Sequence, residues 1–369
     1  MLALGLMSGT SADGVSLALI DLRGKKVRLG AYTTYAYPAA LRRRVLDAAR
    51  MLPAALSALD FELGRVFASA AERFLRRSRV AAGKVSVVGS HGQTVIHLPG
   101  PRIASTLQIG EPSFMAEALG IPVVSDFRPR DIAAGGEGAP LVPFFDEFVF
   151  GGGRPRILQN IGGIGNATVV GRGIGTFGFD TGPGNCLMDM VVRRMSGGRL
   201  SFDRGGRIAG RGRADERLAR RLLNAPYFRK PPPKSLDRGS FGESYLRDHF
   251  PAGRSRPEDA VATLTFFTAL TIADAYRRFL FPRAKVSEVV LSGGGALNPV
   301  LVGHLRTLLQ PLRVRTSADY GIPVLAKEPA MIALMAALAL KGRTNHCPNA
   351  TGARGARVLG KISPAICGR

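Results

Sequence analysis

Tryptophan is absent from the 369 residues, histidine occurs five times and cysteine three times. Cys186, Cys347 and Cys367 make an odd set with no C-x-x-C among them, which points to a reducing compartment and away from a structural zinc. Five scattered histidines exclude the usual zinc-hydrolase spacings. Neither the G-x-S-x-G of a serine hydrolase nor the H-R-D of a protein kinase occurs. The longest uncharged apolar run, Pro329 to Leu340, is too short to span a bilayer, and the first residues lack the basic stretch of a signal peptide. A cytoplasmic protein with no membrane partner is expected. Acidic residues are also scarce, 27 against 51 basic ones, for a net charge of +24. Such a field attracts anions. The arginines are scattered over helical-looking segments, with no aromatic-and-basic strand of the kind that stacks bases. No specific nucleic-acid partner is therefore expected, and only weak non-specific polyanion binding fits the charge.

Glycine is abundant, at 46 residues, and its placement carries the most information. Leu2 to Asp21 reads as strand, tight turn, strand, with the turn SGTSADG between two apolar runs. Gly9 and Gly14 allow the backbone to approach an anion closely. Backbone N–H groups and the hydroxyls of Ser8, Thr10 and Ser11 suit phosphate oxygens, and Asp13 could hold Mg²⁺ through water. An ordinary Gly- and Ser-rich hairpin is the bland alternative. The pattern returns near residue 153. Arg156 to Gln159 reads as a strand, Asn160 to Asn166 as a glycine turn (NIGGIGN), and Ala167 to Val170 as a strand. Two such units about 150 residues apart suggest two domains of related topology.

Between and after these stretches the chain reads as an alternating α/β protein. Strands are expected at 26–35, 85–89, 105–110, 121–125 and 286–291. Helices are expected at 39–49, 60–77, 112–119, 186–195, 217–223, 256–281 and 299–309, and a further one opened by Glu328. His91 in SHGQT should follow the end of a buried strand, where α/β proteins place ligands. A satisfied loop histidine is the simpler reading. Arg128 is suited to bidentate capture of a carboxylate or phosphate, or else to an ion pair with Asp126 or Asp131. Asp180, in GFDTGPGN, should sit at a strand end just before a helix, whose dipole would keep it ionised and able to accept a proton. Its alternative is a helix cap. Lys230-Pro-Pro-Pro-Lys234 is a stiff segment carrying Lys234. Gly293, Gly294 and Gly295 lie between a strand and a helix and would admit a flat ligand such as an adenosine. Gly173 to Gly178 fits G-x-G-x-x-G but opens no helix. Gly355 to Lys361 resembles a P-loop without its Ser or Thr. Both are set aside.

Taken in order, SGTSADG, NIGGIGN and LSGGGALN resemble the phosphate 1, phosphate 2 and adenosine motifs of the ASKHA superfamily, which includes sugar kinases, Hsp70 and actin. The narrower words GLMSGTSADG, SHGQTV, QIGEP, DFRPRDIAAGGEGAPLVP, GFDTGPGN, PPPKS, ATLTFFTA and TGARGARVLGKISP resemble anhydro-N-acetylmuramic acid kinases from residue 2 to residue 364. The resemblance implies an α/β fold of two RNase H-like domains, the duplicated actin/Hsp70/hexokinase-like architecture, with an active-site cleft between them. The domains would be 1–153, with the tail 345–369 packed on it, and 154–344. It implies ATP and Mg²⁺ as cofactors and 1,6-anhydro-N-acetylmuramic acid as substrate, with ring opening by water coupled to phosphorylation. By position, Asp180 matches the general base. Gly9, Thr10, Ser11, Ala12, Asp13, Gly14, Val15 and Ser16 match the ATP phosphate loop, with Asp13 toward the metal. Asn160, Gly162, Gly163, Gly293, Gly294, Gly295 and Asn298 match further nucleotide contacts. His91, Arg128 and Glu328 fall in motifs on the sugar side. A homodimer is implied by analogy alone. The chain departs from the family pattern at Leu236 to Gly239, at Glu137, and at Leu325 and Pro329 around Glu328. A kinase for another sugar without ring hydrolysis, and a non-catalytic nucleotide-binding protein, remain the alternatives.

Overall fold

The computed structural model describes residues 1–9, 12–100, 103–232, 234–236, 240–251, 253 and 255–365. Thr10, Ser11, Asp237 to Gly239 and Cys367 lie outside the described residues. The chain divides into two compact units, Met1–Val149 with Ala326–Arg369, and Phe150–Leu325. The strands of the first unit begin with β1 (Leu2–Ser8), β2 (Gly14–Arg23), β3 (Lys26–Ala36), β4 (Val85–Leu98), β5 (Ser105–Ile109) and β6 (Val123–Ser125). The second unit holds β7 (Arg156–Ile161), β8 (Ile164–Val170), β9 (Phe177–Pro183), β10 (Glu288–Ser292) and β11 (Arg313–Thr316). The first unit ends with β12 (Lys361–Ser363).

The two sheets share one plan. In the first, the strands run β3-β2-β1-β4-β6, with β1 antiparallel to β2 and parallel to β4. In the second they run β9-β8-β7-β10-β11, again with the first strand antiparallel to its hairpin partner and parallel to the next. Each unit is thus a three-stranded meander continued by parallel strands, the RNase H-like arrangement, and the duplication seen in the glycine turns extends to the whole topology.

Several elements differ from the sequence reading for identifiable reasons. The helix expected from Asp60 begins at Pro53; its first two turns are mostly exposed and Ala-rich, with only Leu56 and the buried Leu59 extending the apolar stripe toward its N-terminus. The strand expected to stop at Gly89 runs on to Leu98, since β5 pairs with its second half. His91 therefore lies within β4 rather than beyond it. Phe127–Ala133 is helical despite Pro129, which falls in the first turn where a missing N–H costs nothing. The helix expected to reach Phe281 is α-helical over Pro257–Ala275 and ends in a π-turn, Tyr276–Leu280. There the buried Tyr276 hydroxyl donates to Gln159 Oε1 at 2.8 Å.

The apolar run at 329–340 became the helix Lys327–Leu340, buried on almost every side against β1, β2 and β4. It was expected in the second domain but belongs to the first unit. Its approach depends on Gly89 and Gly5. A Cβ on Gly89 would lie 2.6 Å from the Ile332 carbonyl oxygen, and one on Gly5 would collide with the Pro329 carbonyl. The tail, read as irregular, contributes β12 to the edge of β6. It is pinned by His346 and Thr351, which both donate to the buried Asp131 carboxylate at 2.8 and 2.7 Å.

Candidate active site

In the first unit, the parallel pair β1/β4 sets Ser8 opposite Gln93, which brings SGTSADG beside SHGQT. The Ser8 Oγ lies 2.5 Å from Gln93 Oε1 and 3.1 Å from the Gly14 carbonyl, and accepts from the Tyr37 hydroxyl at 2.8 Å. Ala12 N–H donates to the Gly9 carbonyl at 3.0 Å, and Ala12 adopts the left-handed conformation with φ 51°. Such strain in a non-glycine residue needs the surroundings to enforce it. Here the buried Ser8–Tyr37 contact and the Tyr37 N–H bond to the Asp13 carbonyl, at 3.1 Å, do so. Tyr37 is a support that sequence reasoning missed, and burial pushes its phenol up to about 12. The Asp13 side chain is 67% exposed and pairs with Arg42 at 3.0 Å. One exposed carboxylate beside a turn of small residues fits Mg²⁺ held mainly by phosphates and water. Among the described residues no group of three or more His, Cys, Asp or Glu is placed to hold a metal by itself. Gly14, Val15 and Ser16 open β2, and Ser16 shares a hydrogen bond with Thr34 at 2.8 Å.

The same unit brings His91 and Arg128 together. Arg128 Nε donates to His91 Nε2 at 3.0 Å, and its Nη1 donates to the Gly138 carbonyl at 2.8 Å. His91 Nδ1–H faces the Gly92 carbonyl at 3.2 Å, so the imidazole is the neutral Nδ1–H tautomer. Burial first, then the Arg128 charge, hold its pKa down at about 3. Neither of the carboxylates expected to pair with Arg128 does so. Asp126 pairs with Lys361 at 2.8 Å, and Asp131 bonds His346. Desolvation lowers Arg128 to about 10, against the pull of Glu328 and Asp131. Glu328, at the start of its helix, is raised by burial and drawn down by Lys327 and Arg128. Neutral imidazole, guanidinium and carboxyl give a donor–acceptor set suited to a polar, anionic small molecule.

In the second unit, the parallel pair β7/β10 sets Asn160 opposite Ser292, so the two glycine loops meet at the carboxyl ends of their strands. Gly293 takes φ +82°, and a Cβ built there would lie 2.6 Å from Asn160 Oδ1 and 2.7 Å from the Ile161 carbonyl, while one on Gly295 would meet the Ile161 side chain. A side chain at either position would collide. Gly163 and Gly294, by contrast, have room: nothing lies within 4 Å of a Cβ built on Gly163, and the nearest atom at Gly294 is Asn185 Nδ2 at 3.5 Å. Asn185 also donates to the Ile161 carbonyl at 3.4 Å and is a second residue the sequence reading passed over. Asn298 Oδ1 caps its helix, accepting from Val300 and Leu301 N–H at 3.0 and 3.2 Å.

Asp180 lies inside β9, opposite Asn166, rather than at a strand end. The helix Cys186–Met195 follows, but its N-terminus does not serve Asp180. Asn185 N–H bonds the Gly162 carbonyl at 2.7 Å, and Gly184 and Cys186 N–H bond the Gly163 carbonyl at 2.9 and 3.2 Å. The expectation that the helix dipole ionises Asp180 is therefore replaced. Burial raises its pKa, and the Leu236 N–H, donating to Oδ2 at 2.8 Å, and the Lys234 charge pull it back. A partly desolvated carboxylate aimed by one backbone donor is suited to general-base work.

Two RNase H-like units with small-residue loops at the carboxyl ends of their central strands, plus a desolvated aspartate, define an ASKHA-type phosphotransferase. The family model for anhydro-N-acetylmuramic acid kinase matches residues 1–365, and the chain belongs to that family. It is similar to the proteins of that name from Caldanaerobacter subterraneus subsp. tengcongensis (39% identical, covering 98% of this chain and 96% of that one) and Streptomyces avermitilis (43%, covering 99% and 94%). The same holds for that of Xanthomonas oryzae pv. oryzae (41%, covering 99% and 98%). Among the described residues no helix is long and apolar enough to cross a membrane.

Proposed function

We propose that this kinase transfers the γ-phosphoryl of ATP to 1,6-anhydro-N-acetylmuramic acid while water opens the anhydro ring, in the bacterial cytoplasm, as a step of cell-wall sugar recycling. Family membership over the full chain carries the reading. The desolvated Asp180 carboxylate supports the hydrolytic half. Asp180 takes a proton from water as the water oxygen attacks the anomeric carbon. The bond from that carbon to O6 breaks, and O6 takes the phosphoryl group, leaving ADP and N-acetylmuramate 6-phosphate. Residues 9–16 are assigned to the phosphates, and Asn160, Gly162, Gly163, Gly293 to Gly295 and Asn298 to the rest of the nucleotide. Asp13 would hold Mg²⁺ through water, and the ion would neutralise charge on the transferring phosphoryl. His91, Arg128 and Glu328 are assigned to the sugar, where a guanidinium suits its lactyl carboxylate. The basic surface favours both anionic substrates.

The test is ADP release with three acceptors. Turnover is expected with 1,6-anhydro-N-acetylmuramic acid and at least a hundredfold less, by kcat/KM, with free N-acetylmuramate or glucose, because a site built around the bridging oxygen loses its reaction in the open sugars. Equal turnover of free N-acetylmuramate would replace the reading with a simple sugar kinase.

A further inference from the structure

Both ring nitrogens of His91 are engaged within the protein. Nδ1 faces the Gly92 carbonyl at 3.2 Å, and Nε2 lies 3.0 Å from Arg128 Nε. A guanidinium carries only N–H donors, so this contact takes the Nε2 lone pair and requires a neutral ring. The buried imidazole is left with no ring N–H and no lone pair for a sugar hydroxyl. Arg128, by contrast, is only partly engaged. Beyond His91 it donates from Nη1 to the Gly138 carbonyl at 2.8 Å. That acceptor is fixed in turn. Gly138 N–H donates to Oδ2 of the buried Asp131 at 2.8 Å, and Gly138 takes φ +74°, a conformation that favours glycine.

Both acceptors on Arg128 are neutral. Among the described residues no carboxylate lies at ion-pair distance from it: Asp126 pairs with Lys361, and Asp131 bonds His346. The hydrogen bonds use two of the five N–H groups of the guanidinium and leave its charge uncancelled. A carboxylate in the place of His91 would grip the guanidinium more tightly, yet it would take the charge that an anionic ligand has to meet. We infer that His91 is the positioning residue of Arg128, a neutral acceptor that fixes the guanidinium and leaves its charge for the carboxylate of the sugar. His91 acts on the sugar through Arg128 and does not touch it. The inference rests on Arg128 binding the sugar, as proposed above.

The experiment measures KM for the anhydro sugar and for ATP, with a thermal melt, in wild type, His91→Gln, His91→Leu, His91→Glu and Arg128→Gln. Glutamine keeps a neutral acceptor near the position of Nε2, so the sugar KM should stay within about threefold of wild type. Leucine removes the acceptor, and glutamate neutralises the guanidinium. Both should raise the sugar KM by about tenfold or more and leave the ATP KM unchanged. A merely structural imidazole predicts the opposite order, since glutamate binds a guanidinium better than glutamine does. Equal sugar KM values in the glutamine and glutamate variants overturn the inference. Loss of folding in both the leucine and glutamate variants also overturns it and makes His91 structural. An unchanged sugar KM in Arg128→Gln would instead remove the assignment of Arg128 to the sugar, and a wild type that does not turn over the anhydro sugar would remove the proposed reaction itself. A raised sugar KM in Arg128→Gln, with an unmoved one in His91→Leu, overturns the role of His91 alone.

Discussion

Replacing Asp180 with asparagine is expected to lower kcat by about a thousandfold, roughly 4 kcal/mol of barrier, while the protein stays folded. Asparagine keeps the shape and an acceptor oxygen for the Leu236 N–H, now 2.8 Å from Oδ2, but cannot take a proton from water. The stability change has a definite sign. Burial raises the Asp180 pKa, so the folded state favours the neutral acid, and at pH values above that pKa the ionised form is a cost to folding. Asparagine removes that cost. The variant should melt at or above the wild-type temperature at pH 7, and a lower melting temperature would contradict the sign of the burial effect. Single-turnover kinetics and a thermal melt on the same sample check both halves. A residue whose loss ends catalysis without destabilising the protein is one held for chemistry.

The second large effect concerns the support of the first unit. Gly5→Ala should destabilise it by about 3 kcal/mol or more, because the new methyl meets backbone atoms, the Pro329 carbonyl and the Ala333 nitrogen, which cannot rotate aside. The helix Lys327–Leu340 would have to lift from β1, taking with it the buried pair of Lys327 and Asp146, 2.6 Å apart. Glu328 begins the same helix, so the surviving folded fraction should also lose affinity for the sugar. Gly83→Ala is the control: nothing lies within 4 Å of its Cβ, and its effect should stay within about 0.5 kcal/mol. Urea midpoints at unchanged slope measure the difference.

These two positions mark how far the sequence could be read. Asp180 stands out in the sequence because Asp, Thr, Pro and two glycines crowd a stretch that a simple cap would not need, and the glycines at 293–295 announce the close backbone approach seen at Gly293 and Gly295. Of the strands flanking the glycine turns, β1, β2, β3 and β7 fall within a residue or two of the expected bounds, while β8 begins at Ile164, three residues before the expected Ala167. What stayed hidden depends on tertiary partners. Gly5 and Gly89 look like ordinary strand glycines until a helix more than 240 residues later lies against them. The second half of β4 is polar, and only β5 makes it a strand. The tail looks irregular because its order comes from Asp131, His346 and Thr351 rather than from its own periodicity. By sequence Arg128 suits either an anionic ligand or an ion pair with Asp126 or Asp131; from the helix Phe127–Ala133 it donates to His91 of β4 instead of to either aspartate. Lys234 gave one signal, a lysine after three prolines, and the rings around its Nζ, those of Tyr227, Phe279 and Phe179, come from three separate elements.

The central claim is that one active centre couples water attack at the anomeric carbon to phosphoryl transfer, and the isotope content of the product tests it most directly. Purified protein is incubated with MgATP and 1,6-anhydro-N-acetylmuramic acid in ¹⁸O-water, and the sugar phosphate is analysed at once by mass spectrometry with fragmentation. The account predicts N-acetylmuramate 6-phosphate carrying one ¹⁸O at the anomeric position and none in the phosphoryl group, formed in equal amount with ADP. A phosphorylated sugar with its anhydro ring intact, or ADP formed with ¹⁸O in free phosphate and no sugar phosphate, would contradict it.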